Sequence, residues 1–127
     1  RQRFPQLRIH NGLELGEPHR HADQIARVLA AGRFDRLLGS LHTLPDRGTY
    51  AEPWGIYPHR DPYEVVREYL AGVAAMVETS DLFSVLAHID YPVRSCPADS
   101  TGPFNPGDFE DEFRHALRVT ARSGRAR

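Results

Sequence analysis

The sequence predicts an α/β chain in which strands and helices alternate in the order β-α-β-α-β-α, with the strands paired in parallel. Three observations lead there. Short apolar runs bounded by Gly, Pro and polar residues recur along the chain. Between them, apolar residues repeat at three- and four-residue spacing, the period of a helix with one buried face. Strands that alternate with helices in this way pair through right-handed crossovers, in a doubly wound sheet or a slice of a β/α barrel.

The first strand is predicted over Leu7–Leu15, where Leu7, Ile9, Leu13 and Leu15 are apolar, Gly12 lies inside and Gly16 follows. From His19 the spacing changes: Ala22, Ile25, Val28 and Leu29 mark a helix that Gly32 is suited to end in a left-handed cap. Phe34–Leu41 reads as the second strand. Residues 43–60 hold Pro45, Gly48, Pro53, Gly55 and Pro58, and are expected to form a long irregular loop of the kind that often carries function. Asp61-Pro62-Tyr63-Glu64 then supplies an N-cap acceptor, a proline at the first helical position and an acidic first turn. The helix it opens has an apolar stripe of Val65, Val66, Tyr69, Leu70, Val73 and Val77. Ser84–Ile89 is the third strand, and a Pro- and Gly-rich loop from Tyr91 to Gly107 follows. Asp108 and Asp111 open the last helix, with Phe109, Phe113, Ala116 and Leu117 on one side and Gly124 at its end.

Composition narrows the function classes. Of 127 residues 40% are apolar and 26% charged, which suits a folded domain. Sixteen basic against seventeen acidic side chains leave no net field to draw in nucleic acid or an anionic membrane, so a nucleic-acid partner is not expected. Cys96 is the one cysteine and cannot form a disulfide framework, and no apolar run approaches the roughly 20 residues that span a bilayer. A cytoplasmic location is the default expectation. The chain begins Arg1-Gln2-Arg3-Phe4-Pro5, without an initiator Met or a signal-peptide core, and reads as the middle of a longer protein.

In parallel β/α folds, functional residues collect at the carboxyl ends of the strands, where the following loops converge on one rim. Glu14 lies near the end of the first strand, His42 directly after the second and His88 near the end of the third. Taken singly, each has an ordinary structural explanation: a solvated strand carboxylate, a loop histidine, a core histidine bonded to a carbonyl. Together they place a carboxylate and two imidazoles, the donor types a borderline divalent metal prefers, on one rim.

Gly12-Leu13-Glu14-Leu15-Gly16, Gly39-Ser40-Leu41-His42 and Leu86-Ala87-His88-Ile89-Asp90 resemble, in order, the three central motifs of the PHP (polymerase and histidinol phosphatase) family, most closely its histidinol-phosphatase branch. The resemblance implies a distorted seven-stranded TIM-like β/α barrel, of which residues 1–127 would be a partial domain. It implies two or three divalent ions (zinc, iron or manganese) that hydrolyse phosphate monoesters with metal-activated water. Glu14 would be the bridging carboxylate, and His42 and His88 nitrogen ligands; these three form the expected catalytic set. The family's first strand carries a His-x-His pair and its last an Asp-x-His pair, and neither is in place here. His19-Arg20-His21 comes after the glutamate motif and at a helix start, where residues two apart diverge.

Other residues have weaker claims. Asp90 is a candidate to orient a ligand or water behind His88, or else a loop cap. Arg94, on the same rim, is a candidate to hold phosphate oxygens, or else a surface arginine. His59 and Arg60 are of the same kind, while Tyr50, Trp54 and Tyr57 are a candidate substrate wall or plain loop anchors. Arg118, Arg122, Arg125 and Arg127 read as compensation of a helix dipole. The expected partner is a small phosphorylated substrate, histidinol phosphate first. Nucleotides or nucleic-acid ends are the alternative substrates, and a degenerate non-catalytic module is the alternative role.

Overall fold

The computed structural model describes residues 3–97 and 104–125. It is an α/β chain built on a three-stranded parallel sheet. The strands are β1 (Gly12–Gly16), β2 (Arg36–Ser40) and a short β5 (Val85–Leu86), in the spatial order β1-β2-β5. Helix α1 (Ala22–Ala30) connects the first pair. The second crossover contains a hairpin of β3 (Leu44–Asp46) and β4 (Thr49–Ala51), then α2 (Pro53–Ile56) and α3 (Pro62–Thr79). Helix α4 (Glu110–Arg122) follows β5 and packs on α3.

Parallel register puts Leu15 beside Gly39 and Gly39 beside Leu86, on one face of the sheet. Glu14, Leu38 and Val85 share the other. Phe83 lies flat against Gly39: a methyl group there would meet its ring at 2.4 Å, so the close approach requires glycine. The same holds where α3 meets the end of β2, since a methyl at Gly72 would lie 2.8 Å from Leu41.

Helix α3 begins as its sequence signature predicts. The Asp61 carboxylate accepts the Glu64 N–H at 3.0 Å, Pro62 fills the first turn, and the predicted stripe is buried throughout. Each apolar side chain buried there contributes roughly 1.5–3 kcal/mol. Helix α4 clamps the outer side of α3 through buried Phe109 and the Arg67–Glu112 ion pair at 3.0 Å. Gly124, with φ of 75°, ends α4 in the left-handed conformation.

Several expectations are corrected. The first strand begins at Gly12, and Leu7 and Ile9 stand more than half exposed. The strand pairing begins at Gly12, opposite Arg36, where β2 starts. Just upstream, the Asn11 carbonyl accepts the N–H groups of Asp35 and Arg36, and the Asn11 N–H donates to the Asp35 carboxylate at 2.7 Å. Helix α1 starts at Ala22, after a turn in which the Glu17 carbonyl accepts from Arg20 and His21. It ends at Ala31 in a right-handed conformation, so Gly32 is not a left-handed cap, and Val28 faces solvent.

Residues 43–60 are not irregular. Arg47 and Gly48 both take positive φ, 47° and 79°, the geometry of the tight turn whose twist matches a two-residue hairpin. Pro53 occupies the first turn of α2, where its missing N–H costs nothing. Gly48 and Pro53, two of the residues that suggested an irregular loop, build a hairpin turn and a helix start. The third strand is only Val85–Leu86, and Tyr91–Ser95 and Pro106–Phe109 of the following stretch form 3-10 turns. Part of that predicted loop, and Arg127, lie outside the described residues.

Candidate metal centre

The three strand ends deliver Glu14, His42 and His88 to one place. One ligand atom from each lies within 4.8 Å of the others. Glu14 Oε1 is 3.0 Å from His88 Nε2 and 3.4 Å from His42 Nε2. Donors about 2 Å from a tetrahedral zinc lie roughly 3.3 Å apart, so these separations suit a common ion. Two neutral imidazoles and a carboxylate are also a donor set that leaves a fourth position open for water.

Burial by itself would raise the Glu14 carboxyl, but hydrogen bonds from His88 and Ser40, with the charges of His88 and His42, outweigh it and hold the group below its ordinary range. The carboxylate is therefore ionised, as a ligand must be.

Tyrosines fix the spacing of the two histidines. The Tyr69 hydroxyl, deep in the core of α3, reaches both the Leu41 carbonyl at 3.0 Å and the His88 carbonyl at 3.1 Å. It thus ties the end of β2 to the end of β5. Burial, and then the charge of Asp90, push its phenol well above the ordinary value, so it stays a neutral donor. Tyr91 packs its ring 4.9 Å from that of His42 and 5.0 Å from that of His88, and donates to Glu52 at 2.5 Å. That hydrogen bond, with burial, raises Tyr91 to about 12.

The remaining predicted residues separate clearly. Arg94 is exposed, with its guanidinium 5.4 Å from the centre of the Tyr91 ring. Asp90 is exposed and precedes the Tyr91–Ser95 turn, its backbone carbonyl accepting from Val93. His59 pairs with Asp46 at 3.0 Å and Arg60 with Glu68 at 2.6 Å, contacts that brace the hairpin against α3. Tyr57 is a loop anchor, donating to the Pro92 carbonyl at 2.7 Å. Tyr50 and Trp54 are exposed: Arg20 lies over the Tyr50 ring at 4.0 Å, and the Trp54 indole donates to Glu52 at 3.1 Å. His19 and His21 do not join the cluster. His21 is exposed at the cap of α1, while burial and then Arg20 lower the imidazole of half-buried His19. Arg125 crosses to α3, donating to Val77, Ser80 and Phe83 carbonyls, so it compensates the carboxyl end of a helix other than its own.

Sequence reasoning missed Glu17. Its carboxylate is buried and accepts the N–H groups of His42 and Thr43. The test that selected Glu14, a carboxylate near the end of a strand, applies equally to Glu17, one residue past Gly16. Glu52 and the bridging role of Tyr69 had no signal in the sequence, since both depend on which loops meet.

No family model matches the chain. The histidinol-phosphatase of Lactococcus lactis subsp. lactis (strain IL1403) is 28% identical over 91 residues, covering 72% of this chain and 34% of that protein. The chain therefore spans about a third of the length of this distant relative. The similarity supports a phosphatase-type relationship. Among the described residues, no helix is long and apolar enough to cross a membrane.

Proposed function

We propose that this chain carries part of the metal centre of a phosphoesterase that hydrolyses small phosphate monoesters, of the histidinol-phosphatase kind. The convergence of Glu14, His42 and His88 at the carboxyl ends of three parallel strands carries the reading. The similarity to a histidinol-phosphatase over the stretch that contains most of the chain supports it. In this reading the parallel sheet is a segment of a β/α barrel, and Glu14, Leu38 and Val85 belong to the barrel's inner face.

Bound divalent ions would supply hydroxide from coordinated water and neutralise the phosphoryl oxygens. The chain's own residues do the rest. Glu14, ionised, would hold the ions in place; His42 and His88 would complete the coordination through ring nitrogens; Tyr69 keeps the two histidines at a set distance. In the same reading Arg94, beside Tyr91, would meet a substrate anion, and Asp90 would orient a water or ligand near His88.

One observation favours a second reading, a non-catalytic module: among the described residues the cluster has three ligands, and His19 and His21 stay outside it. Metal content and phosphate release from histidinol phosphate, measured on the complete protein, separate the two. The phosphatase reading expects both to be lost in a His42→Ala, His88→Ala double variant; unchanged metal content and activity reject this site. Residues 1–127 alone are expected to turn over slowly or not at all, and rapid turnover abolished by Glu14→Gln would contradict that.

A further inference from the structure

Glu17 combines two features that are costly for a glutamate. Its φ of 46° lies in the left-handed region, which a residue with a Cβ enters at a cost of roughly 1 kcal/mol or more. Its carboxylate is buried, where an ionised group needs donors.

The contacts made from this position all lead to one place. The Glu17 N–H donates to the Ser40 carbonyl at 2.8 Å, extending the β1–β2 pairing by one residue. Oε1 then accepts the His42 N–H at 2.5 Å, the Thr43 N–H at 3.0 Å and the Thr43 hydroxyl at 3.4 Å. The same oxygen stands 3.8 Å from His42 Nδ1, while His42 Nε2 faces Glu14 at 3.4 Å. The imidazole of His42 is thus set between two carboxylates, one on each ring nitrogen.

We infer that Glu17 is a positioning residue for His42: it fixes the His42 backbone and sets a carboxylate behind Nδ1, so that Nε2 is the ring nitrogen presented to a metal ion. The inference rests on the metal-site reading above. A separation of 3.8 Å is too long for a hydrogen bond, but an imidazole bound to metal through Nε2 carries its proton on Nδ1, and a carboxylate at that distance stabilises it there. Among the described residues His88 has no such partner: its Nδ1 is buried without a hydrogen bond. Glu17 therefore acts on one of the two histidines.

A role confined to bracing the turn predicts something different. Gln at position 17 keeps an oxygen that accepts the same N–H groups and removes only the charge. The experiment measures two quantities on the complete protein: the thermal midpoint without metal, and zinc affinity by competition with a chromophoric chelator. Expected in Glu17→Gln is a midpoint close to the parent's with zinc affinity lower by about 10–100-fold. Equal affinity in Glu17→Gln, with affinity reduced in His42→Ala, overturns the role of Glu17 and leaves the metal site standing. Should the parent bind no zinc, or His42→Ala bind it equally well, the metal-site reading fails and takes this inference with it.

Discussion

Along α3, Val65, Val66, Tyr69, Leu70, Val73, Met76 and Val77 have almost no contact with solvent. At the strand ends, by contrast, the side chains of Glu14, His42 and His88 keep 46%, 29% and 17% of their surface. The helical side holds itself together by apolar burial, which is non-directional and tolerant of small shifts. The rim has little area to bury, so the positions of its donors come from directional contacts with buried residues behind it. Tyr69 belongs to both regions: its ring lies in the core and its hydroxyl holds the carbonyls of Leu41 and His88. Precision at the exposed site is thus lent by the core.

Substitutions across the two regions test that division, and their effects on stability are expected to fall in sequence. Tyr69→Ala opens a cavity and frees both strand ends; denaturant unfolding is expected to show a loss of about 3–5 kcal/mol. Gly39→Ala forces a methyl into the Phe83 ring and is expected to cost about 3 kcal/mol by the same measurement. Tyr69→Phe keeps the ring but leaves the buried Leu41 carbonyl without the hydroxyl, while the His88 carbonyl keeps the Tyr91 N–H, for about 2 kcal/mol, and it is the variant that sharpens the comparison. If the core lends precision to the rim, Tyr69→Phe also weakens zinc binding; a chain that loses stability while binding zinc as before would show the two regions to be independent. Asp61→Ala removes the N-cap of α3, remote from the rim, and is expected to cost about 1 kcal/mol with zinc affinity unchanged. Smallest in stability is Glu14→Gln, within about 0.5 kcal/mol of the parent, yet zinc binding measured by competition is expected to disappear.

Resemblance and strand-end logic together selected Glu14, His42 and His88 before any geometry was known, because motif order and the rule about carboxyl ends both survive in a linear sequence. The hairpin within residues 43–60 was not legible, although its signals were present. Gly48 and Pro53 punctuate a turn and a helix start as readily as a loop, and which they do depends on whether flanking residues find partners: Leu44 pairs with Ala51 and packs into the core. Leu7 and Ile9 erred in the opposite direction. Their apolar alternation matches a strand, but the ladder with β2 begins only at Gly12, opposite Arg36, and both side chains stay more than half exposed.

Some features are decided within a few residues of sequence. The N-cap and buried stripe of α3, the left-handed stop at Gly124 and the α/β alternation belong to this class, since caps, turns and helical periodicity act over one or two turns of chain. Other features exist only once distant segments meet. That Glu17 sits behind His42, that Tyr69 bridges two strand ends and that Arg125 caps a helix not its own are outcomes of register and packing. The physical reason is the same in each: a donor's identity is written in the sequence, but its acceptor is whichever group the fold brings within about 3 Å.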